Sequence, residues 1–406
     1  MIRHAPSIGL GLGISLRSDT LGSPGLLDLY PGAAAAYSLR ALSAGWLAGD
    51  VVEVRPSSGW TPASFTANQV ANGELVDYVK RPGDFTNIGF TTFANNGTGD
   101  GFTATLTSGT GQAQSSTVPG VASDTVTVDF DITIVSGSPL LSLRSGAGIP
   151  QDPQVISTSG SYSITLTATG NFSNFTFSEG DIPSEFTVSN VRVSTNDGFV
   201  STWYDQSGNA NNATQATTTS QPKIVDAGAL VTGGLDFDGV DDSLGLTGLS
   251  LTSTGWSSFV KWNADSFATD MAILRCRPLG AIPSVAGVIP IETDGAQFSQ
   301  NISNDDSVEA IAINLSAFGT LSTATDYLNT TILTSTAVDL WTNGTQETYT
   351  NTLLGGTTIP ISTVGVSQIY IGTADGTARP FNGKICEVIL YDSDQTANRE
   401  AIESLI

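Results

Sequence analysis

The sequence predicts an all-β protein built from two β-sandwiches, with short helices only near 32–43 and at the C-terminus. Three observations carry this. Charged residues are 13% of the chain, so the helix-favouring Lys, Glu and Arg are scarce, while Thr, Val, Ile and Phe are frequent. Several segments alternate strictly between apolar and polar positions, as in "TVTVDFDITI". Short Gly, Ser and Asn clusters separate them, and Gly 44 is high for 406 residues. A chain of 406 residues can bury two or three separate cores.

Residues 1–30 read as an arm. Ile8, Leu10, Leu12, Ile14 and Leu16 fall on one face of an extended segment, with Gly9, Gly11, Gly13 and Ser15 on the other. A lone strand is unstable, so such an arm is expected to pack on its own body or, the favoured expectation, on a neighbouring chain. The opening "MIRHAPSIGLGLGISLRS" has a Gly-broken apolar stretch and no clear cleavage site, unlike a signal peptide. In 31–43, Pro31 and Gly32 precede a run from Ala33 to Leu42 whose composition predicts a helix. "DVVEVRPS" predicts a strand with Val52 and Val54 inward.

Residues 85–196 alternate without a helical interruption. Val126, Val128, Phe130, Ile132 and Ile134 share one face. Tyr162, Ile164 and Leu166, then Phe175 and Phe177, then Phe186, Val188, Val191 and Val193 continue the pattern. That is one β-sandwich of about 110 residues. From 197 to 406 a second all-β region follows. Asn343-Gly344 between two strand-like runs predicts a type I′ hairpin. The closing "DSDQTANREAIESLI" predicts a short helix capped by Ser393 or Asp394, with Ala397, Ile402 and Leu405 apolar.

The charge excludes several functions. With 38 acids against 15 bases the net charge is −23, which repels nucleic acid and anionic membrane. The acidity and low Lys content suit a virion or extracellular setting, and no run is long enough to span a membrane. His4 is the sole histidine, so neither a His-based zinc site nor a Ser-His-Asp triad is available to the folded body. Cys276 and Cys386 form no framework and no CxxC; they can pair with each other, but two unpaired, semi-buried thiols are the leading expectation. No P-loop, dinucleotide fingerprint or basic patch is present. No cofactor is called for, with one opening for Ca2+. "LDFDGVDDSL" sets Asp236, Asp238, Asp241 and Asp242 within seven residues. Val240 at the fifth position departs from an EF-hand loop, and acids of a tight turn explain the cluster equally well.

Two sets of motifs carry a family resemblance. "AAAAYSLRAL…VVEVRPSS" and "GFVSTWYDQSGNANNATQ" resemble the opening of the catalytic domain of family 54 α-L-arabinofuranosidases. "LDFDGVDDSLGL" and "ARPFNGKICEVILYDSD" resemble laminin-G/concanavalin-type lectin domains. Bacteriophage tail and virion proteins carry the same series of pieces, and the chain is most similar to those. The resemblance implies a concanavalin-like (LamG-type) jelly roll in two stretches, 31–84 and 197–406. The 85–196 sandwich is then inserted, and it loosely resembles carbohydrate-binding modules. It also implies a virion structural protein of a tail, baseplate or head fibre that contacts a host-surface glycan. Its partners would be other virion proteins and itself, as a homo-oligomer and plausibly a trimer.

Position by position, the resemblance puts Asp294 at the family's nucleophile and Asp375 at its acid/base, with Glu292 beside them. A retaining glycosidase needs two carboxylates about 5–5.5 Å apart. Asp294 is one methylene shorter than the family's Glu, and the vicinal cysteine pair that stacks the sugar is missing. A binding protein is therefore the leading expectation. A secreted α-L-arabinofuranosidase-like hydrolase is one alternative, and a decoration protein without ligand is another. Sugar binding calls for exposed aromatics, for which Trp60 and Trp262 are the candidates. The stretch "STWYDQSGNANNATQ" reads as scaffold. Asp205, Gln206 and Ser207 can bond turn backbone, and Gly208 and Asn209 tolerate positive φ.

Overall fold

The computed structural model describes residues 24–116, 118–145, 150–180, 183–251, 255–267, 270–277, 287–294, 297–303, 310–314, 321–334, 338–347, 350–354 and 366–406. The alternating arm at 8–16 lies outside them. The described chain is nearly all β, and its sheets are antiparallel and sandwich-like. None of its helices is long and apolar enough to cross a membrane.

The expected helix at 31–43 is instead a strand, Ala33–Ser38. It pairs antiparallel with Asn382–Tyr391, placing Ala36 opposite Ile389 and Tyr37 opposite Val388. Ala35, Ala36 and Tyr37 are fully buried. Alanine's helix preference is worth only tenths of a kcal/mol per residue. A strand covered on both faces needs small side chains there, and that packing requirement overrides the propensity.

The strands between 86 and 193 pair only with one another and form two five-stranded sheets. One runs Gln151–Val155, Leu140–Arg144, Asn174–Glu179, Gly111–Gln114 and Thr86–Ile88. The other runs Gly160–Thr167, Thr125–Ser136, Ser184–Val193, Phe102–Leu106 and Thr92–Asn95. Between them lies a phenylalanine core. Phe130 meets Phe177 edge-on at 5.0 Å, and Phe85 lies 4.8 Å from Phe102. The apolar alternation read from the sequence is the alternation that is buried: Val126, Val128, Phe130 and Ile132 face inward. The opposite face carries hydroxyl pairs such as Thr127–Thr165 and Thr103–Thr187.

The remaining strands form one larger network. One path of pairings runs from Ala63–Thr66 through Asp50–Pro56 and Gly198–Trp203 to Leu244–Leu251, Val366–Ile371, Met271–Arg277 and Gly287–Asp294. Another joins Ala33–Ser38, Asn382–Tyr391, Gly255–Ala264 and Asp326–Thr334. Trp203, Trp256, Trp262, Phe237 and Phe381 fill the core between them. The Asn343-Gly344 hairpin forms as expected, with both residues at positive φ (47° and 78°) and Thr342 opposite Thr345. A helix does close the chain, Arg399–Glu403, with Ile402 buried. Its expected cap is corrected: Asp394 accepts from the Thr396 N–H, stapling the preceding turn, and Asn398 makes no side-chain cap bond.

The two sandwiches meet where the chain crosses between them. Val193 N–H donates to the Lys80 carbonyl, and Asn196 Nδ2 donates to the carbonyls of Val79 and Arg81. Arg192 forks onto Asp77 at 2.7 and 2.8 Å and reaches Asp100 at 2.8 Å. Burial pushes the Asp100 carboxyl up. Hydrogen bonds from Thr98, Arg192 and Asn96, with the Arg192 charge, outweigh it and hold the group below its ordinary value. A carboxylate with a depressed folded-state pKa adds stability above its unfolded pKa and loses it as pH falls through the folded one. Arg192→Ala should lower stability by about 3 kcal/mol in thermal or urea melts near neutral pH. Arg192→Lys should recover little, because an ammonium cannot fork. The gap from wild type should narrow as pH falls from the ordinary aspartate value through the lower folded-state value of Asp100.

Candidate functional site

The stretch 201–215 clamps the alanine strand. Asp205 is 1% exposed. Its Oδ1 accepts the N–H groups of Ala36 (2.8 Å) and Ser207 (2.9 Å), and its Oδ2 accepts the Ser207 hydroxyl (2.7 Å) and the Asn211 N–H (2.9 Å). Gln206 Oε1 accepts the Leu42 N–H, and its Nε2 donates to the carbonyls of Ser38 and Arg40. Asn209 and Asn211 donate to the Ala34 carbonyl, and Tyr37 donates its hydroxyl to the Asn211 carbonyl. Gly208 takes positive φ (89°), whereas the second such residue is Ala210 (58°) and not Asn209. The motif thus satisfies backbone groups that no neighbouring strand reaches.

The expected carboxylates lie on adjoining pieces of backbone. Glu292 sits in the strand opposite Ala272, and Asp294 ends that strand; their side chains fall outside the described residues. Ala272 N–H donates to the Arg379 carbonyl, in the loop that carries Asp375, and Ala272 packs on Ala374. Asp375 Oδ1 accepts from Ala378 N–H (2.7 Å), Thr377 N–H (3.0 Å) and the Thr377 hydroxyl (3.1 Å). Burial raises its pKa, but these donors and the Arg275 charge prevail and leave it below the ordinary carboxylate value. Such a group is an acceptor, not a reservoir for the proton a leaving group needs.

Two neighbours of Asp375 were missed by sequence reasoning. Tyr370, half-buried, lies opposite both Arg275 and Gly245 in the sheet. A Cβ at Gly245 or Gly376 would stand 3.7 or 3.8 Å from its ring, so two glycines border the aromatic face. Arg275 is itself buried. In "SQIYIGTADG" the outward alternate position of Tyr370 before a Gly is the one available signal.

The aspartate cluster divides. Asp238, Asp241 and Asp242 hold carboxylate oxygens within 4.8 Å of one another. Asp236 stands apart, paired with Lys384 at 3.6 Å. Within the cluster Asp238 accepts the N–H groups of Val240 and Asp241, Asp242 accepts the Asp238 N–H, and Asp241 accepts the Ser220 hydroxyl. These are the bonds of a tight turn, although the oxygens would also suit a hard cation.

Neither tryptophan is an exposed platform. Trp262 is 1% exposed, donates to Asn329 Oδ1 at 2.7 Å and packs on Tyr327 and Phe381. Its large apolar ring and single donor are both satisfied in the core. Trp60 is half-buried against Gly83 and Gly99, where a Cβ on Gly99 would approach the ring to 2.6 Å. Both cysteines are free, as expected; burial pushes the Cys386 thiol up to about 11.

No family model and no curated protein matches the chain. Among solved structures it is similar to Trypanosoma rangeli sialidase (11% identity, TM-score 0.36, covering 75% of this chain and 60% of that one). It is also similar to a mutant of that sialidase displaying trans-sialidase activity (13%, 0.34, 50% and 32%). A third is the CBM40 of Ruminococcus gnavus IT-sialidase bound to alpha2,3 sialyllactose (14%, 0.30, 41% and 99%). The chain thus spans about a third (32%) of the length of the trans-sialidase mutant. No site residue is carried over from any of them.

Two expectations follow. Asp205→Asn sets an amide N–H against donors of the turn, and should cost about 2–3 kcal/mol in a urea melt. Burial pushes the Asp242 carboxyl up to about 7, with the charges of Asp238, Asp241 and Asp236 adding and the Asp238 N–H opposing. A raised folded-state pKa means the folded form binds the proton more tightly, so this contribution is lost as pH rises from about 4 to 7. Wild type should therefore melt progressively lower between pH 5 and pH 8 than Asp242→Asn does. If the cluster holds a divalent cation, calcium added at pH 8 raises the wild-type melt and closes the gap; if it is only a turn, calcium changes nothing.

Proposed function

We propose that the chain is a glycan-contacting β-sandwich protein and not a glycoside hydrolase. One observation carries this: Asp375, the expected acid/base, is fixed by three donors as an ionised acceptor beside a glycine-bordered Tyr370 and a buried Arg275. An aromatic face with charged hydrogen-bonding groups around it suits a sugar's apolar face and hydroxyls. The missing methylene at Asp294 points the same way, since misplacement by about 1 Å costs orders of magnitude in rate.

The finer reading is a structural protein of a bacteriophage virion that touches glycans at the host surface. Its support is the series of sequence motifs, the alternating apolar arm at 8–16 and the acidic, lysine-poor composition. Deleting residues 1–20 should abolish incorporation into particles while leaving the folded body intact by circular dichroism. Unchanged incorporation would refute the arm's role.

The glycan reading is tested with a nitrophenyl α-L-arabinofuranoside and a glycan array. The expected result is no turnover, with array binding that Tyr370→Ala removes and Asp375→Asn weakens about tenfold or more. Turnover abolished by Asp294→Asn would establish the hydrolase instead. Neither turnover nor binding would leave a decoration protein without ligand.

A further inference from the structure

A cavity of about 230 Å³ opens beside the C-terminal residues, away from the Asp375 loop. Its walls are of two kinds. Leu39, Val70, Leu230 and Val231 make an aliphatic side, closed by an edge of the buried Trp262. The other side carries Lys261 and Asp326, with the Arg40–Glu387 pair behind them.

The charges on that side are not equivalent. Glu387 is used up: Arg40 forks onto it at 2.8 and 3.0 Å, and the Ser38 hydroxyl donates to it. Lys261 donates at 2.9 Å to a main-chain oxygen of Ile406, the last residue of the sequence, which leaves two of its three N–H donors. Asp326 is exposed and accepts at Oδ1 from Asn263. Neither Lys261 nor Asp326 has an oppositely charged side chain as partner among the described residues.

Their spacing follows from the strand register. Asn263 lies opposite Asp326 and Lys261 opposite Leu328, so Lys261 and Asp326 are diagonal neighbours on one face. Such positions are about 7–8 Å apart, and among the described residues the two side chains turn to other partners and form no ion pair with each other. They can, however, flank a molecule whose own opposite charges lie between them. We propose that this cavity binds a small zwitterion with an aliphatic side chain, a free apolar α-amino acid. The carboxylate meets Lys261, the ammonium meets Asp326, and the side chain enters the aliphatic walls. A pyranose fits less well, because the one aromatic residue of the lining, Trp262, is 1% exposed and presents no face for stacking.

Cys386 makes the test direct. Its half-buried thiol lines the cavity and feels the charges of Glu387, Lys261, Asp326 and Arg40, whereas Cys276 is fully buried. Millimolar L-leucine, titrated into the full chain, should give binding heat and slow modification of Cys386 by a thiol reagent. Isocaproate, which lacks the ammonium, and isopentylamine, which lacks the carboxylate, should each bind at least about tenfold more weakly. Lys261→Met and Asp326→Asn should weaken leucine by a similar factor. Asp326 is at the surface, so its variant decides the matter if the lysine variant does not fold. The proposal is overturned if leucine gives neither heat nor protection, if isocaproate binds as tightly as leucine, if Asp326→Asn binds leucine unchanged, or if an arabinoside protects Cys386 as well. Glycan binding at Tyr370 is read on a different variant, so either reading can fail alone.

Discussion

The hydrogen bonds from Asp205 and Gln206 to the alanine strand hold the larger sandwich in register. A strand of alanines buries little apolar area per residue, so packing alone fixes it weakly. Its position is set instead by polar bonds: one carboxylate and one carboxamide account for the backbone of Ala36, Ser38, Arg40 and Leu42. In a low-dielectric interior such bonds are strong when complete and costly when broken. The strand Asn382–Tyr391 pairs against Ala33–Ser38 on one side and Gly255–Ala264 on the other, so the error of a slipped alanine strand would propagate into the next layers.

The same use of acids recurs across the molecule. Asp394 staples the turn before the last helix, Asp238 staples the turn at Val240, and Asp375 staples its own loop. A net charge of −23 is thus in part a consequence of many tight turns closed by Asp, not only of a charged surface. This also explains why acid pairs in the sequence are poor markers of catalysis here. Asp236 and Asp242 are six residues apart in sequence, yet one pairs with Lys384 and the other caps a turn.

The sequence was most legible where its period was strict. In 125–132 the apolar positions of the strand predict burial residue by residue, because period two leaves one assignment of faces. The Asn343-Gly344 turn was readable because few residues take positive φ. The alanine strand was not readable, since its helix propensity is local and its partners lie 350 residues away in the chain, as in Tyr37 opposite Val388 and Ser38 hydrogen-bonded to Glu387 (|i−j| of 349). The candidate site was legible only in part. Asp375 could be marked by its loop, but Arg275 and Tyr370 come together through strand pairing, which one sequence does not specify. Trp262 was misplaced for a related reason: exposure of a tryptophan depends on who its neighbours are, and Asn329 is among them.

The junction between the sandwiches has a mechanical meaning. Both chain crossings lie side by side, Val193 hydrogen-bonded to Lys80. A pull on the 86–193 sandwich therefore reaches the larger body along this seam, where Arg192 grips Asp77 on one side and Asp100 on the other and Trp60 packs on Gly99. Tension would part these ionic contacts and a few backbone bonds before it reached either hydrophobic core. Each sandwich can then yield at the joint while remaining folded, in the manner of a breakaway coupling.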